Sequence, residues 1–197
     1  MIEKLKGHIQ DIVYNQLQSV IDKYNINTEL RLAHFLGQCS HESLSFTVVT
    51  ENLNYTSFQL KNVFPNYFKV QNPDDYAHNP EKIANYIYGS RMGNNGTTDG
   101  WMYRGRGYIQ LTGKYNYTQL NKKIPSPDNV INNPELVSSV YPLFSSAWFW
   151  DSKNLNLIAD LGDTDSVVLA VTKRINPGLL GLEDRIKKFN FYFNLLK

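Results

Sequence analysis

Two glutamates nine residues apart, Glu42 and Glu51, are the side chains of this 197-residue chain best suited to chemistry. A pair of carboxyl groups, one holding a proton and one ionised, can hydrolyse a glycosidic bond by general acid–base catalysis. Glu42 lies seven positions after Phe35 and three after Cys39, so helical periodicity sets it on an apolar stripe. A carboxyl group there loses hydration, which favours its protonated form and suits a general acid. Glu51 precedes Asn52, Asn54 and Tyr55, a polar setting in which a carboxylate stays ionised and acts as base. On one continuous helix the two would lie on opposite faces, about 13 Å apart along the axis, and could not serve one bond. The β-branched run in Phe46-Thr47-Val48-Val49-Thr50 predicts that the helix stops near Ser43 to Ser45. A turn through Ser45 to Val48 would then return Glu51 across a cleft, and an inverting glycosidase needs about 6.5–9.5 Å between its carboxyl groups. By spacing alone, Glu42 also reads as a solvated or salt-bridged residue at a helix end.

The elements that must hold this pair are mostly helical. Ile9, Ile12, Val13, Leu17, Val20 and Ile21 recur at three- and four-residue steps and predict a first amphipathic helix. Asn27 or Thr28 caps the second, which carries Leu32, Phe35, Leu36 and Cys39. Asn52 to Pro80 is rich in Asn, Pro and aromatics and reads as irregular with short helices, followed by a short helix over 81–88. Gly93 to Gly100 is a loop by composition. Arg104 to Thr112 alternates, with Tyr108, Gln110 and Thr112 on one side and Ile109 and Leu111 on the other, and predicts a short strand. Further loops lie at 124–127 and 132–134, buried helices over 141–150 and 165–175, and a last helix from about Leu182 with Leu182, Ile186, Phe189, Phe193 and Leu196 on one stripe. With no internal repeat or linker, residues 1–197 read as a single domain, mainly α with a small β element.

Composition narrows the function. Hydrophobic residues are 42% and charged residues 19%, as in a globular protein, which excludes disorder. A net charge of +2 with scattered Lys and Arg is too weak for nucleic-acid binding, though it suits approach to an anionic polymer. The lone Cys39 excludes an internal disulfide and a Cys-based zinc site. No apolar run approaches a membrane span, and the N-terminus has no apolar signal region, so no stable membrane insertion and synthesis in the cytoplasm are expected.

The segment Ala33 to Ser43, with His41-Glu42, resembles the acid-bearing helix of family 19 glycoside hydrolases, which include chitinases and bacterial and phage lysozyme-like enzymes. Three further segments agree in order. Glu51-Asn52-Leu53-Asn54-Tyr55 resembles the second-carboxylate segment of the phage-type members. Tyr103-Arg104-Gly105-Arg106-Gly107-Tyr108-Ile109-Gln110-Leu111-Thr112-Gly113, with Tyr115-Asn116-Tyr117, resembles the most diagnostic stretch. Arg174-Ile175-Asn176 with Asp184-Arg185 resembles the C-terminal cleft motif. The resemblance implies a lysozyme-like, two-lobed helical fold around a central cleft, and an inverting mechanism without cofactor. In it Glu42 is the acid, Glu51 the base, and Thr112 holds the attacking water. His41, Tyr55, Gln110, Tyr115, Asn116, Asn176 and Arg185 line the substrate site, and Arg185 orients a carboxylate by a charge-assisted contact.

Plainer readings stay beside these roles. Gln110 reads as a wet strand residue, Arg185 as a surface residue of the last helix, and Tyr115 as core packing. Tyr103, Arg104 and Arg106 read as braces for the strand. Pro177 follows Asn176 where many relatives have glycine, restricting its backbone. The absence of the disulfides usual in plant chitinases favours the bacterial or phage branch. Peptidoglycan is therefore the expected polymer and chitin the alternative, for a monomer that reaches the bacterial cell wall only after release. Two other classes compete. A metallohydrolase on His41-Glu42 fails the His-Glu-x-x-His spacing at Ser45, so no metal is expected. A glycan-binding protein without catalysis would not need both carboxylates.

Overall fold

The computed structural model describes residues 1–197. Its helices are α1 (Asp11–Tyr24), α2 (Glu29–Glu42), α3 (Ser57–Val63), α4 (Pro80–Tyr88), α5 (Asp99–Met102), α6 (Lys114–Asn121), α7 (Leu136–Ser139), α8 (Pro142–Ser152), α9 (Leu155–Ala159), α10 (Asp165–Ile175) and α11 (Leu182–Leu196). No helix is long and apolar enough to cross a membrane. The chain forms two compact units that are discontinuous in sequence. One comprises Met1–Val49, Gly107–Gln110 and Val137–Lys197; the other comprises Thr50–Arg106 and Leu111–Leu136.

In the first unit α2 is the central helix. Thr28 caps it, its hydroxyl accepting from the Arg31 N–H, and every residue from Leu32 to Ser40 is buried. Leu32, Phe35 and Leu36 are fully enclosed, and each such side chain contributes about 1.5–3 kcal/mol. That sum outweighs the cost of burying a hydrogen-bonded Gln38 amide beside them. Phe35 meets Trp150 edge-on and His34 stacks on Phe189. Gly37 lets α11 approach closely, since a methyl group there would lie 3.0 Å from the Phe189 nitrogen. The last helix buries Phe189, Phe193 and Leu196 as the periodicity predicts. On α1 the stripe holds except at Ile12, which is half exposed.

The second unit is built on aromatic residues. Leu53, Leu60, Phe68, Ile83, Ala84 and Ile87 form its core, and Tyr55, Phe64, Tyr76 and Tyr86 pack against them. Six ring pairs join residues 55–86 edge-on or tilted, and Lys82 over Tyr76 and Arg91 over Tyr67 add two cation–ring contacts. Aromatics that read as irregular sequence therefore form a packed core.

The strand expected over 104–112 does not form. Only Arg106 and Leu111 pair, as an antiparallel bridge, and Thr50 pairs with Arg106. Residues 107–110 are a turn because Gly107 (φ 79°) and Gln110 (φ 52°) take left-handed backbone that no strand allows. The expected alternation fails with it: Tyr108, Ile109 and Leu111 are all buried. Arg104 and Arg106 do brace this segment, both binding Glu135, whose carboxyl is held below its ordinary range by the Arg106 hydrogen bond.

Candidate active site

Glu42 is the last residue of α2, and its side chain is 22% exposed. The helix stops there because Leu44, Ser45 and Phe46 take three consecutive left-handed conformations, at φ of 48°, 59° and 67°. Each costs about 1–2 kcal/mol for a residue with a Cβ, so the surroundings must hold them. Ser43 does part of this, its hydroxyl donating to the Cys39 carbonyl and accepting from the Phe46 N–H. Gln10 adds a bond to the Ser45 carbonyl.

The setting of Glu42 is not the apolar one expected. Arg185, 1% exposed, donates from Nη2 to Glu42 Oε1 at 2.5 Å. The same guanidinium donates to Gln38 Oε1 at 2.6 Å and, through Nε, to the Leu180 carbonyl at 3.1 Å. Gln38 in turn donates to Thr172 Oγ1, which donates to the Val168 carbonyl. A buried guanidinium is tolerated only when each arm has a partner, and this fork meets that condition. Arg185 is thus a buried partner of Glu42 and not a surface residue. Periodicity placed Glu42 correctly but missed that Gln38 and Arg185 make its stripe polar.

His41 is held beside it. Its Nδ1 lies 2.6 Å from Asp184 Oδ2, and since a carboxylate only accepts, Nδ1 is the donor in this contact. Gly181, the N-cap of α11 at φ 72°, makes room: a methyl group there would lie 2.1 Å from the imidazole Cε1. Adjacent residues 184 and 185 thereby fix adjacent residues 41 and 42. Asn176 ends α10 in extended backbone, as the following Pro177 requires. Its Oδ1 accepts from the Gly178 N–H, so the carbonyl end of this amide is committed to a local turn. Gln110, half-buried, donates to the Gly107 carbonyl at 3.3 Å within the same turn.

In the second unit Glu51 has two donors on its carboxylate. The Gly105 N–H meets Oε1 at 2.5 Å and the Tyr88 hydroxyl meets Oε2 at 2.7 Å, while the Glu51 N–H donates to the Gly105 carbonyl. Burial, then the charge of Glu51, raises the phenols of both Tyr88 and Tyr55. These phenols stay protonated, so Tyr88 is a fixed donor. A carboxylate has about four acceptor positions, so each oxygen keeps one for water or substrate. Tyr88 is invisible in the sequence, 37 residues away on α4.

Thr112, Tyr115 and Asn116 come together at the start of α6. Asn116 donates to the Thr112 carbonyl at 2.8 Å, a role in holding the helix start. Tyr115 is 60% exposed, which rules out core packing for it. Gly113 at φ 90° allows this corner, because a methyl group there would lie 2.4 Å from Met92 Cβ. Gly113→Ala should therefore lower stability by about 2–4 kcal/mol from strain and clash and the melting temperature by at least about 5 °C. A thermal melt within 2 °C of the parent would show that the corner relaxes freely.

The chitinase class I model of family 19 matches residues 18–158. A glycosyl hydrolase family 19 domain-containing protein of Haemophilus influenzae is 37% identical over 196 residues, covering 94% of this chain and 90% of that protein. Endochitinase A2 of Pisum sativum is 28% identical over 121 residues, 60% of this chain and 31% of that one. Among solved structures, chitinase C of Streptomyces griseus superposes with a TM-score of 0.59 at 20% identity, over 99% of this chain and 74% of that one. The helical architecture is accordingly the lysozyme-like one of these enzymes, and the chain belongs to glycoside hydrolase family 19.

Proposed function

We propose that the chain is an inverting endo-glycosidase that hydrolyses β-1,4 bonds of peptidoglycan. In this reading Glu42 protonates the leaving glycosidic oxygen and Glu51 removes a proton from the attacking water. The observation that carries it is the unequal anchoring of the two carboxyl groups. Glu42 is gripped through Oε1 alone, which leaves Oε2 to meet a leaving oxygen. Glu51 receives one donor on each oxygen, an arrangement that fixes the carboxyl group in place and leaves each oxygen a second position for water. Thr112 would help hold the water. His41, Tyr55, Gln110, Tyr115, Asn116 and Asn176 would meet the sugar, Asn176 through its Nδ2.

Peptidoglycan is favoured by the phage-type Glu51 to Tyr55 segment, and by a single cysteine where plant chitinases carry disulfides. The enzyme would act as a monomer at the bacterial wall after release from the cytoplasm. Chitin is the second reading, favoured by the likeness to the pea endochitinase and to chitinase C.

Digestion of purified sacculi and of chitin oligomers, with mass spectrometry of the fragments, separates them. New reducing N-acetylmuramic acid ends from sacculi are expected. Cleavage of chitin oligomers with sacculi untouched would overturn the peptidoglycan reading, and cleavage of neither would leave a glycan-binding protein. Within the enzyme reading, Tyr88→Phe should lower kcat about five- to tenfold with KM little changed, since it removes one hydrogen bond to a charged group. An unchanged kcat would detach Tyr88 from the reaction.

A further inference from the structure

On the first unit a cavity of about 310 Å³ opens between the left-handed Leu44–Phe46 hook and α11. Ser40, on its wall, is two residues from Glu42, which on a helix turns it by about 200° from that side chain. The cavity therefore lies apart from the catalytic carboxyl. Its surfaces are of two kinds. Phe46, Phe191 and Tyr192 supply aromatic wall, and Phe191 is nearly half exposed although it carries no polar atom. His8, Lys187 and Lys188 supply cationic or hydrogen-bonding groups, and no carboxylate is part of the lining.

Those groups are mostly uncommitted. Lys188 is held by Ser45 Oγ at 3.0 Å, and its nearest carboxylate, Asp184 at 4.0 Å, is engaged by His41. Lys187 is exposed and makes no ion pair or hydrogen bond, and His8 meets only the edge of Phe191. Two strained residues, Ser45 and Phe46, are part of the wall, and such strain concentrates at ligand clamps. Two ammonium groups and an imidazole beside aromatic surface suit an anion carried on an apolar or sugar body. A bare phosphate or polyol phosphate would leave the aromatic wall unused.

We propose that this pocket is a second, non-catalytic site that binds the carboxylated peptide attached to a hexosamine, the acidic stem of peptidoglycan; the assignment rests on the peptidoglycan reading above. It would hold the wall polymer on the enzyme while a neighbouring strand is cut.

The test is a heteronuclear NMR titration of the full chain with N-acetylmuramyl-L-alanyl-D-isoglutamine, with N,N′-diacetylchitobiose and inorganic phosphate as controls. The muramyl peptide should shift the signals of His8, Lys187 and Phe191, and Lys187→Glu should raise its Kd at least about fivefold. The controls should leave these signals in place. Equal shifts from phosphate or chitobiose, or none from the muramyl peptide, would overturn the proposal. In a parallel assay Lys187→Glu should slow digestion of intact sacculi but not of glycan stripped of its peptides. Equal slowing of both would also overturn it. If the parent protein cuts neither, the peptidoglycan reading fails, and the titration still judges the pocket.

Discussion

Glu42→Gln should lower kcat on the cleaved polysaccharide by at least about 10²-fold while the protein stays folded. Glutamine keeps the shape of the side chain, and its Oε1 can still accept from Arg185 Nη2, so the buried fork is not orphaned. What is lost is the proton. An amide nitrogen cannot give one to a departing alkoxide, and the loss is felt in the transition state and not in substrate binding, so KM should move little. Glu51→Gln should be milder, since its one amide oxygen can still accept from the Gly105 N–H and hold water, while the Tyr88 hydroxyl can turn to accept from the amide nitrogen. A Glu42→Gln rate within tenfold of the parent, measured by release of reducing ends, would remove Glu42 from the acid role. A fall in melting temperature of more than about 5 °C would instead show that its charge is chiefly structural.

How much of this could be read without coordinates depended on the range of the interactions. α2 was legible because its determinants are local: Thr28 caps it and its stripe runs unbroken to Cys39. Its stop at Glu42 was legible from the change of residue type after Ser43, but not the means, since three left-handed non-glycine residues have no composition signature. The strand over 104–112 was misread because polar and apolar residues alternate there, while Gly107 and Gln110 reverse the backbone. In the site, Arg185 was legible only through its motif. Gln38 carried a signal that went unused, a polar residue four positions before Glu42 on an apolar face. Tyr88, Thr172 and Asp184 reach their partners across 37, 134 and 143 residues, and no periodicity encodes such pairings.

The long-range contact of most consequence is the one from α11. Arg185→Met should cost about 3–5 kcal/mol in stability, because it strands the half-buried Glu42 charge and the buried Gln38 carbonyl oxygen together. For a chain of this size that is roughly a 6–20 °C fall in melting temperature. It should also lower kcat by at least about tenfold, since Glu42 loses the contact that aims it and a misplacement of about 1 Å can cost up to 10²-fold. Arg185→Lys separates the two effects. A single ammonium can meet Glu42 or Gln38 but not also the Leu180 carbonyl in the fork geometry, so charge returns without aim. Stability should then recover more than kcat does. The pairing itself is isolated by combining Arg185→Met with Glu42→Gln: with no charge left to strand, the Met substitution should cost about 1–3 kcal/mol less than in the parent. Strict additivity in that cycle, read from urea unfolding, would mean that Arg185 supports α11 and Gln38 without energetic coupling to Glu42. The carboxyl would then have to be oriented by the end of α2 alone.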